Sequence, residues 1–377
     1  VIEALLSLLS YIIPFLVVLT VIVFVHEMGH YLVARWNGVA IQTFSLGFGR
    51  ELAGFTDKSG TRWRLSAIPL GGYVRFVGDM NPASAPDRDM LAEMDPAIRN
   101  SLFYYKNVWQ RIAVVVAGPA ANFIFTFVVF YALLMSLGQY TIPPVIQDVV
   151  PDSPAAVAGL EPGDRVVGVD GYEVRGFEDF QRLVATSPGR PVTVYVERDG
   201  ERLGFLVTPE IVEQEDALGN INKIGRLGVS RQTTAEDIEH IRPDPIDAVG
   251  ITVSRMWLIV DRTFAFIGDF FVGRGDPDQL GGPIKVAQVS GDVATLGWLE
   301  LVNWIALLSL SIGLFNLFPI PLLDGGHLLF YLIEAVRGKP LSPRVQEAGF
   351  RFGLAIVFTL MVFTIAIDIP DVVNRLM

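Results

Sequence analysis

The 377-residue chain contains no cysteine. Disulfides, a thiolate metal site and a cysteine nucleophile are therefore excluded, and any bound metal must draw on histidine and carboxylate side chains. Histidine is scarce as well: His26, His30, His240 and His327 are all the chain has. Charged residues make up 18%, against about a quarter in an ordinary soluble enzyme, while 51% of residues are hydrophobic. A net charge of -11 argues against nucleic acid as a partner. The class left open is an integral membrane protein with enough polar sequence for one domain outside the bilayer.

What is present begins with an uncharged run from Ala4 to Val25 that leads directly into His26-Glu27-Met28-Gly29-His30. About 20 apolar residues suffice for a membrane-spanning helix. Glu3 precedes the run, no Lys or Arg does, and no small-residue cleavage site follows, so it reads as a retained span and not as a cleaved leader. In a helix, positions i and i+4 share a face, so His26 and His30 can present two imidazoles to one metal ion, with Glu27 beside them to hold a water. H-E-x-x-H also arises by chance in ordinary helices. Two of only four histidines on one apolar helix, with a glutamate between them, are poorly explained by packing, and ionisable groups at membrane depth are by default functional.

Taken in order, residues 1–36 form the first transmembrane helix. Residues 39–80 alternate apolar and polar positions between glycine breaks, which suggests short strands in a membrane-associated β-rich segment. Residues 81–110 are polar and read as a surface segment. The second span is 111–138, with Gly118-Pro119 and Asn122 near its start. The bland reading of those three is close helix packing through small residues; the sharper one is a hydrogen bond from Asn122 toward the site. Residues 144–212 form an extramembrane α+β domain, marked by Ser153-Pro154-Ala155, a helix to Gly159 and the turn Pro162-Gly163-Asp164. Residues 213–246 read as a linker and 247–299 as an interfacial amphipathic helix and loop. The third span, 300–335, is interrupted by Asn316-Leu317-Phe318-Pro319-Ile320-Pro321-Leu322-Leu323-Asp324-Gly325-Gly326. Broken backbone at this depth lines a cavity, and Asp324 supplies the missing carboxylate ligand. The last span, 350–369, has a short uncharged core from Phe352 to Ile367. The fold class is thus an α-helical polytopic membrane protein of about four transmembrane helices with a β-rich segment and an inserted domain.

Arg35, Arg50 and Arg111 crowd the first connection, and Arg337, Lys339, Arg344 and Arg351 the one after the third span. By the positive-inside rule these connections are cytoplasmic and the acidic inserted domain is outside. His26, His30 and Asp324 then lie at similar depth, toward the cytoplasmic side.

With HEMGH on an early span, Asn316-to-Gly326 on a late one and the Ala-Gly-Leu-x-Pro-Gly-Asp run between them, the chain resembles the site-2 proteases. These are intramembrane zinc metalloproteases, and the nearest likeness is to the bacterial regulator-of-sigma-E group in a single-PDZ form. Pro69-Leu70-Gly71-Gly72-Tyr73-Val74, Ala117-Gly118-Pro119 and Gly281-Gly282-Pro283-Ile284 are similar to further signatures of that family. The resemblance implies Zn2+ as the cofactor, His26, His30 and Asp324 as its ligands and Glu27 as general base. It gives Asn316 the substrate backbone or the oxyanion, and His327 a structural or supporting role. It makes 144–212 a PDZ domain that binds peptides or chain ends, or gates access. It implies a multi-pass protein of the bacterial inner membrane with a periplasmic PDZ domain. The substrates it implies are single-pass membrane proteins, such as a pre-trimmed anti-sigma factor. A helical substrate hides its carbonyls, so residues 41–80, Gly71 and Gly72 among them, are expected to offer a strand edge to the unwound peptide; prolines placed in that edge would cut turnover.

Two other readings stand beside it. An ion or metal transporter also uses intramembrane histidines and broken helices, but few spans and no repeat of spans count against it. A membrane-anchored PDZ scaffold leaves HEMGH and Asp324 unexplained.

Overall fold

The computed structural model describes residues 2–78, 96–215, 221–231, 239–271 and 281–376. Much of the expected surface segment (81–95), the loop at 272–280, and 216–220 and 232–238 of the expected linker lie outside the described residues. Contacts divide the chain into two units, one of residues 1–130 and 256–377 and one of residues 131–255.

The first unit is built on apolar helices. α1 (Ile2–Trp36) is followed by β1 (Ile41–Thr56), β2 (Arg62–Phe76) and α2 (Val108–Leu137). α5 (Pro245–Phe271) begins within the second unit, and α6 (Pro283–Leu296), α7 (Trp298–Asn316), α8 (Asp324–Arg337) and α9 (Pro343–Leu376) follow it; α3, α4 and the remaining strands belong to the second unit. Four stretches are long and apolar enough to cross a bilayer: Leu9–Trp36, Val108–Leu137, Trp298–Asn316 and Pro343–Asp368. The chain is a multi-pass membrane protein.

β1 and β2 form more than a hairpin. Gly72 to Arg75 pair with Leu46 to Thr43, and Arg62 to Leu65 pair both with Thr56 to Ala53 and, in the same running sense, with Thr43 to Leu46. The two long strands thus make a four-ribbon sheet whose outer edges are the end of β1 and the end of β2. Phe44, Val74 and Phe76 point into a core shared with Ala34 of α1 and Val114 of α2. The connecting turn is tied down by Asp57, which accepts from the backbone of Ser59 (2.8 Å) and Thr61 (3.0 Å), from Trp63 Nε1 (3.0 Å) and from the Tyr31 hydroxyl (3.1 Å). The Trp63 indole first, then the backbone amides and Tyr31, hold its carboxyl down to about 2 against the cost of partial burial.

The second unit carries a small α+β domain. β5 (Arg165–Val169), β6 (Tyr172–Glu173), β7 (Val192–Arg198) and β8 (Glu201–Val207) form a sheet in the order β6-β5-β7-β8. With α3 (Pro154–Ala158) and α4 (Phe177–Ala185) they enclose Val166, Val194, Val196 and Phe180. Ser153 caps α3 by accepting from the Ala156 amide, and Gly159 ends it with φ 90°. The Pro-Gly-Asp turn has a concrete role: buried Asp164 accepts two bonds from Arg198, Nε at 2.6 Å and Nη2 at 2.8 Å. That pair locks the turn to β7.

Three expectations need correction. The stretch read as a linker carries strands: β9 (Glu210–Glu215) pairs with β10 (Ile221–Arg226), and β11 (Val229–Ser230) and β12 (Glu239–Ile241) pair with β4 (Asp148–Val149) and β3 (Gln139–Thr141). Strands this short and polar owe their existence to distant partners. Part of the stretch read as a loop is helix α6, which lies along α1; its first turn donates the Gly282 and Lys285 amides to buried Asp368 of α9, each at 3.1 Å. The last span is not short. α9 starts at Pro343 and runs through Glu347 and Arg351, paired at 2.7 Å one turn apart, before its apolar core.

Candidate metal centre

α1 delivers the first two candidate ligands by local geometry alone, since His26 and His30 are one helical turn apart on one face. Delivering the third takes a broken helix. α7 ends at Asn316, the helix is broken over 317–323, and α8 opens at Asp324. Gly325 and Gly326 follow because the turn folds back on the new helix: a Cβ at Gly325 would sit 2.1 Å from the Phe318 carbonyl oxygen, and one at Gly326 2.5 Å from that of Ile320. Leu322, at φ 118°, carries backbone strain just before the ligand.

The three side chains converge. His26 Nε2 lies 3.0 Å and His30 Nε2 3.5 Å from Asp324 Oδ2, and the two nitrogens are 3.2 Å apart. Ligand atoms about 2.0 Å from a tetrahedral zinc lie roughly 3.3 Å from one another, so this spacing fits one small cation. The hydrogen-bond count agrees. His30 Nδ1 donates to the Val114 carbonyl at 2.8 Å, which leaves its Nε2 as a bare lone pair. Asp324 Oδ2 is buried with no hydrogen bond. Two such lone pairs aimed at one point suit a cation held between them.

Around this point is a cavity of about 240 Å³ whose lining includes Glu27, Gly72, Tyr73, Val74, Asn316 and His327 as well as His26, His30 and Asp324. Glu27 thus faces the same space as the ligand atoms. The outer edge of β2 runs past it, and a Cβ at Gly72 would come within 2.8 Å of the Ser45 carbonyl oxygen and 3.3 Å of Glu27 Cγ. Only glycine lets the edge come this close. The structure therefore brings together His26, Glu27, His30, Asp324, Asn316 and Gly72. Gly71 is outside the lining, at φ 133° against the Phe48 ring. Sequence reasoning gave Gly118 no place at the site, yet from α2 it lies directly against the His30 ring; the Ala117-Gly118-Pro119 run was the available signal. Asn122 Nδ2 lies 3.2 Å from His26 Nδ1, in line with the sharper of its two readings.

Comparison with known proteins places this geometry in context. The model of a family described as Peptidase family M50 matches residues 14–360. A relative from Agrobacterium fabrum that bears the name "Putative zinc metalloprotease" is 48% identical over 365 residues, 97% of either chain. "Metalloprotease MmpA" of Caulobacter vibrioides is 40% identical over 370 residues, 92% of either chain. Among solved structures, the PDZ domain of an SdrC-like protein from Listeria monocytogenes matches over 82% of its own length and 21% of this chain, at 20% identity and a TM-score of 0.17.

Proposed function

The chain belongs to peptidase family M50, and we propose that it is a zinc endopeptidase that cuts single-pass membrane proteins within the bilayer. One observation carries this reading: His26, His30 and Asp324 converge beside Glu27, in a cavity bordered by a strand edge, on helices built to cross a membrane.

Zn2+ held by His26, His30 and Asp324 would act as a Lewis acid toward the attacking water and the scissile carbonyl. Glu27 takes the proton from that water as its oxygen bonds to the carbonyl carbon, then hands it to the leaving nitrogen as the C–N bond breaks. A substrate helix keeps its carbonyls in its own hydrogen bonds, so it must unwind first. The Gly72–Val74 edge takes the unwound segment as an added strand and lays its backbone along the cavity. Asn316, which also lines the cavity, donates to the substrate backbone or the developing oxyanion.

The protein sits in a bacterial inner membrane with the active site toward the cytoplasm and the PDZ domain in the periplasm. The Arg and Lys excess at the connections supports this, and so do Trp36 and Trp109, 81% and 66% exposed, beside Arg35 and Arg111 at adjoining helix ends. The substrates are pre-trimmed proteins such as an anti-sigma factor, and the PDZ domain binds their exposed ends or excludes untrimmed ones. The test compares wild type with E27Q on a transmembrane substrate in detergent. Only wild type should cleave, with equal zinc in both. Cleavage by E27Q at the wild-type rate would remove the base from the mechanism.

A further inference from the structure

Asn122 is fully buried in α2, and its surroundings hold it still. Its backbone carbonyl accepts from the Ser309 hydroxyl on α7 (3.3 Å) and shares the single Thr126 hydroxyl proton (3.0 Å) with the Ala306 carbonyl at 2.8 Å. Gly313 of α7 backs it, where a Cβ would lie 3.1 Å from Asn122 Cβ. A side chain so placed can do little except face His26.

Its amide has two orientations that exchange nitrogen and oxygen. With Nδ2 toward His26 Nδ1, at 3.2 Å, His26 Nδ1 must accept, and Asn122 Oδ1 is left buried with no partner. The His26 proton is then forced onto Nε2, into the point where His30 Nε2 and Asp324 Oδ2 also converge, and a cation there is excluded. Turned over, Oδ1 accepts the Nδ1 proton, and the Nε2 lone pair faces the ligand point. Turning moves the unpartnered atom of the amide from oxygen to nitrogen, so Asn122 alone does not choose between the two; ligation does. His30 is already in the corresponding state, its Nδ1 proton given to the Val114 carbonyl.

We propose that Asn122 is a positioning residue for the metal, not a ligand. Its carbonyl oxygen takes the Nδ1 proton of His26 and thereby fixes the tautomer and ring angle that His26 needs to bind zinc. Partners that hold a ligating histidine in this way are worth about 10- to 100-fold in metal affinity. The inference rests on the reading of His26 as a zinc ligand.

The test measures Zn2+ affinity by chelator competition, and the visible spectrum of the Co2+ form, for wild type, N122L, N122D and H26A. N122L keeps the branching of the side chain and removes the acceptor; it should bind Zn2+ about 10- to 100-fold more weakly, with an altered Co2+ spectrum. N122D restores an acceptor and should bring both back toward wild type. With zinc in excess, N122L should regain much of its turnover. N122L with wild-type affinity and spectrum overturns the proposal, as does an N122D no better than N122L in a sample that remains folded. H26A separates the two levels: if it binds zinc as wild type does, the ligand assignment itself fails, whatever Asn122 does.

Discussion

Adding a single methyl group at Gly118 should strip the site of its metal while the membrane helices stay assembled. A Cβ at Gly118 would lie 2.2 Å from His30 Nε2 and 2.5 Å from Cε1, whereas ordinary contact begins near 3.4 Å. The ring must retreat by about 1.2 Å, several times the roughly 0.2 Å tolerance of a zinc–nitrogen bond. Retreat also stretches the 2.8 Å bond from Nδ1 to the Val114 carbonyl, so both anchors of the ring fail together. G118A should therefore bind zinc at least about 10- to 100-fold more weakly, and its turnover should fall by about 100-fold or more for a displacement on the order of 1 Å. Because the clash is with a side-chain ring, thermal stability of the metal-free protein should change little. G29A is the contrast, since its Cβ would lie 2.1 Å from the Ala117 backbone oxygen and nothing can move aside except a helix. It should lose stability along with metal. Zinc content by mass spectrometry, chelator competition and cleavage of a transmembrane substrate read all of this. A G118A protein with wild-type zinc affinity and turnover would refute the claim that α2 sets the position of His30.

Further outcomes follow from other contacts. Arg111 donates to Glu334 through Nη1 (3.1 Å) and Nη2 (2.5 Å) and lies 4.7 Å over the Tyr331 ring, clamping α8 to α2. R111M should cost about 1–3 kcal/mol by leaving the half-buried Glu334 without its partner, and R111M/E334L should recover most of it; a double variant no better than the single one denies the desolvation argument. Asp57 has its carboxyl depressed in the folded state, so its contribution is complete above about pH 4 and is lost as pH falls toward 2. Limited proteolysis of the β1–β2 turn should show an acid transition in that window that D57N, already without the charge, lacks. On the substrate side, replacing one leucine near the scissile bond by glycine lowers the helix-unwinding cost by about 1 kcal/mol and should speed cleavage roughly fivefold. An unchanged rate would mean that unwinding does not limit turnover.

Much of the chemistry was legible because it is local. His26 and His30 share a face by helical repeat alone, four spans announce themselves by uncharged length, and the Pro162-Gly163-Asp164 turn marks the inserted domain. The Asn316-to-Gly326 stretch shows its break through prolines and glycines that no continuous helix tolerates. What stayed hidden depends on partners far along the chain. Nothing near Val229 predicts its pairing with Val149, nothing in Arg62–Leu65 says it will lie between two parts of β1, and 283–296 is too modestly apolar to declare itself a helix before α1 and Asp368 are placed around it.

The sequence by itself determined which residues could hold a metal and act as base, because residue type and a one-turn spacing decide that much. Tertiary structure alone decided that Asp324 meets the two histidines, that Gly72 brings a strand edge against Glu27, that Gly118 lies against the His30 ring, and that Asn122 meets Nδ1 of His26. Periodicity reports only what lies within a turn or a strand of itself. Which distant segments come to share a cavity is settled by the packing of the helices, where a single absent Cβ admits or excludes a neighbour.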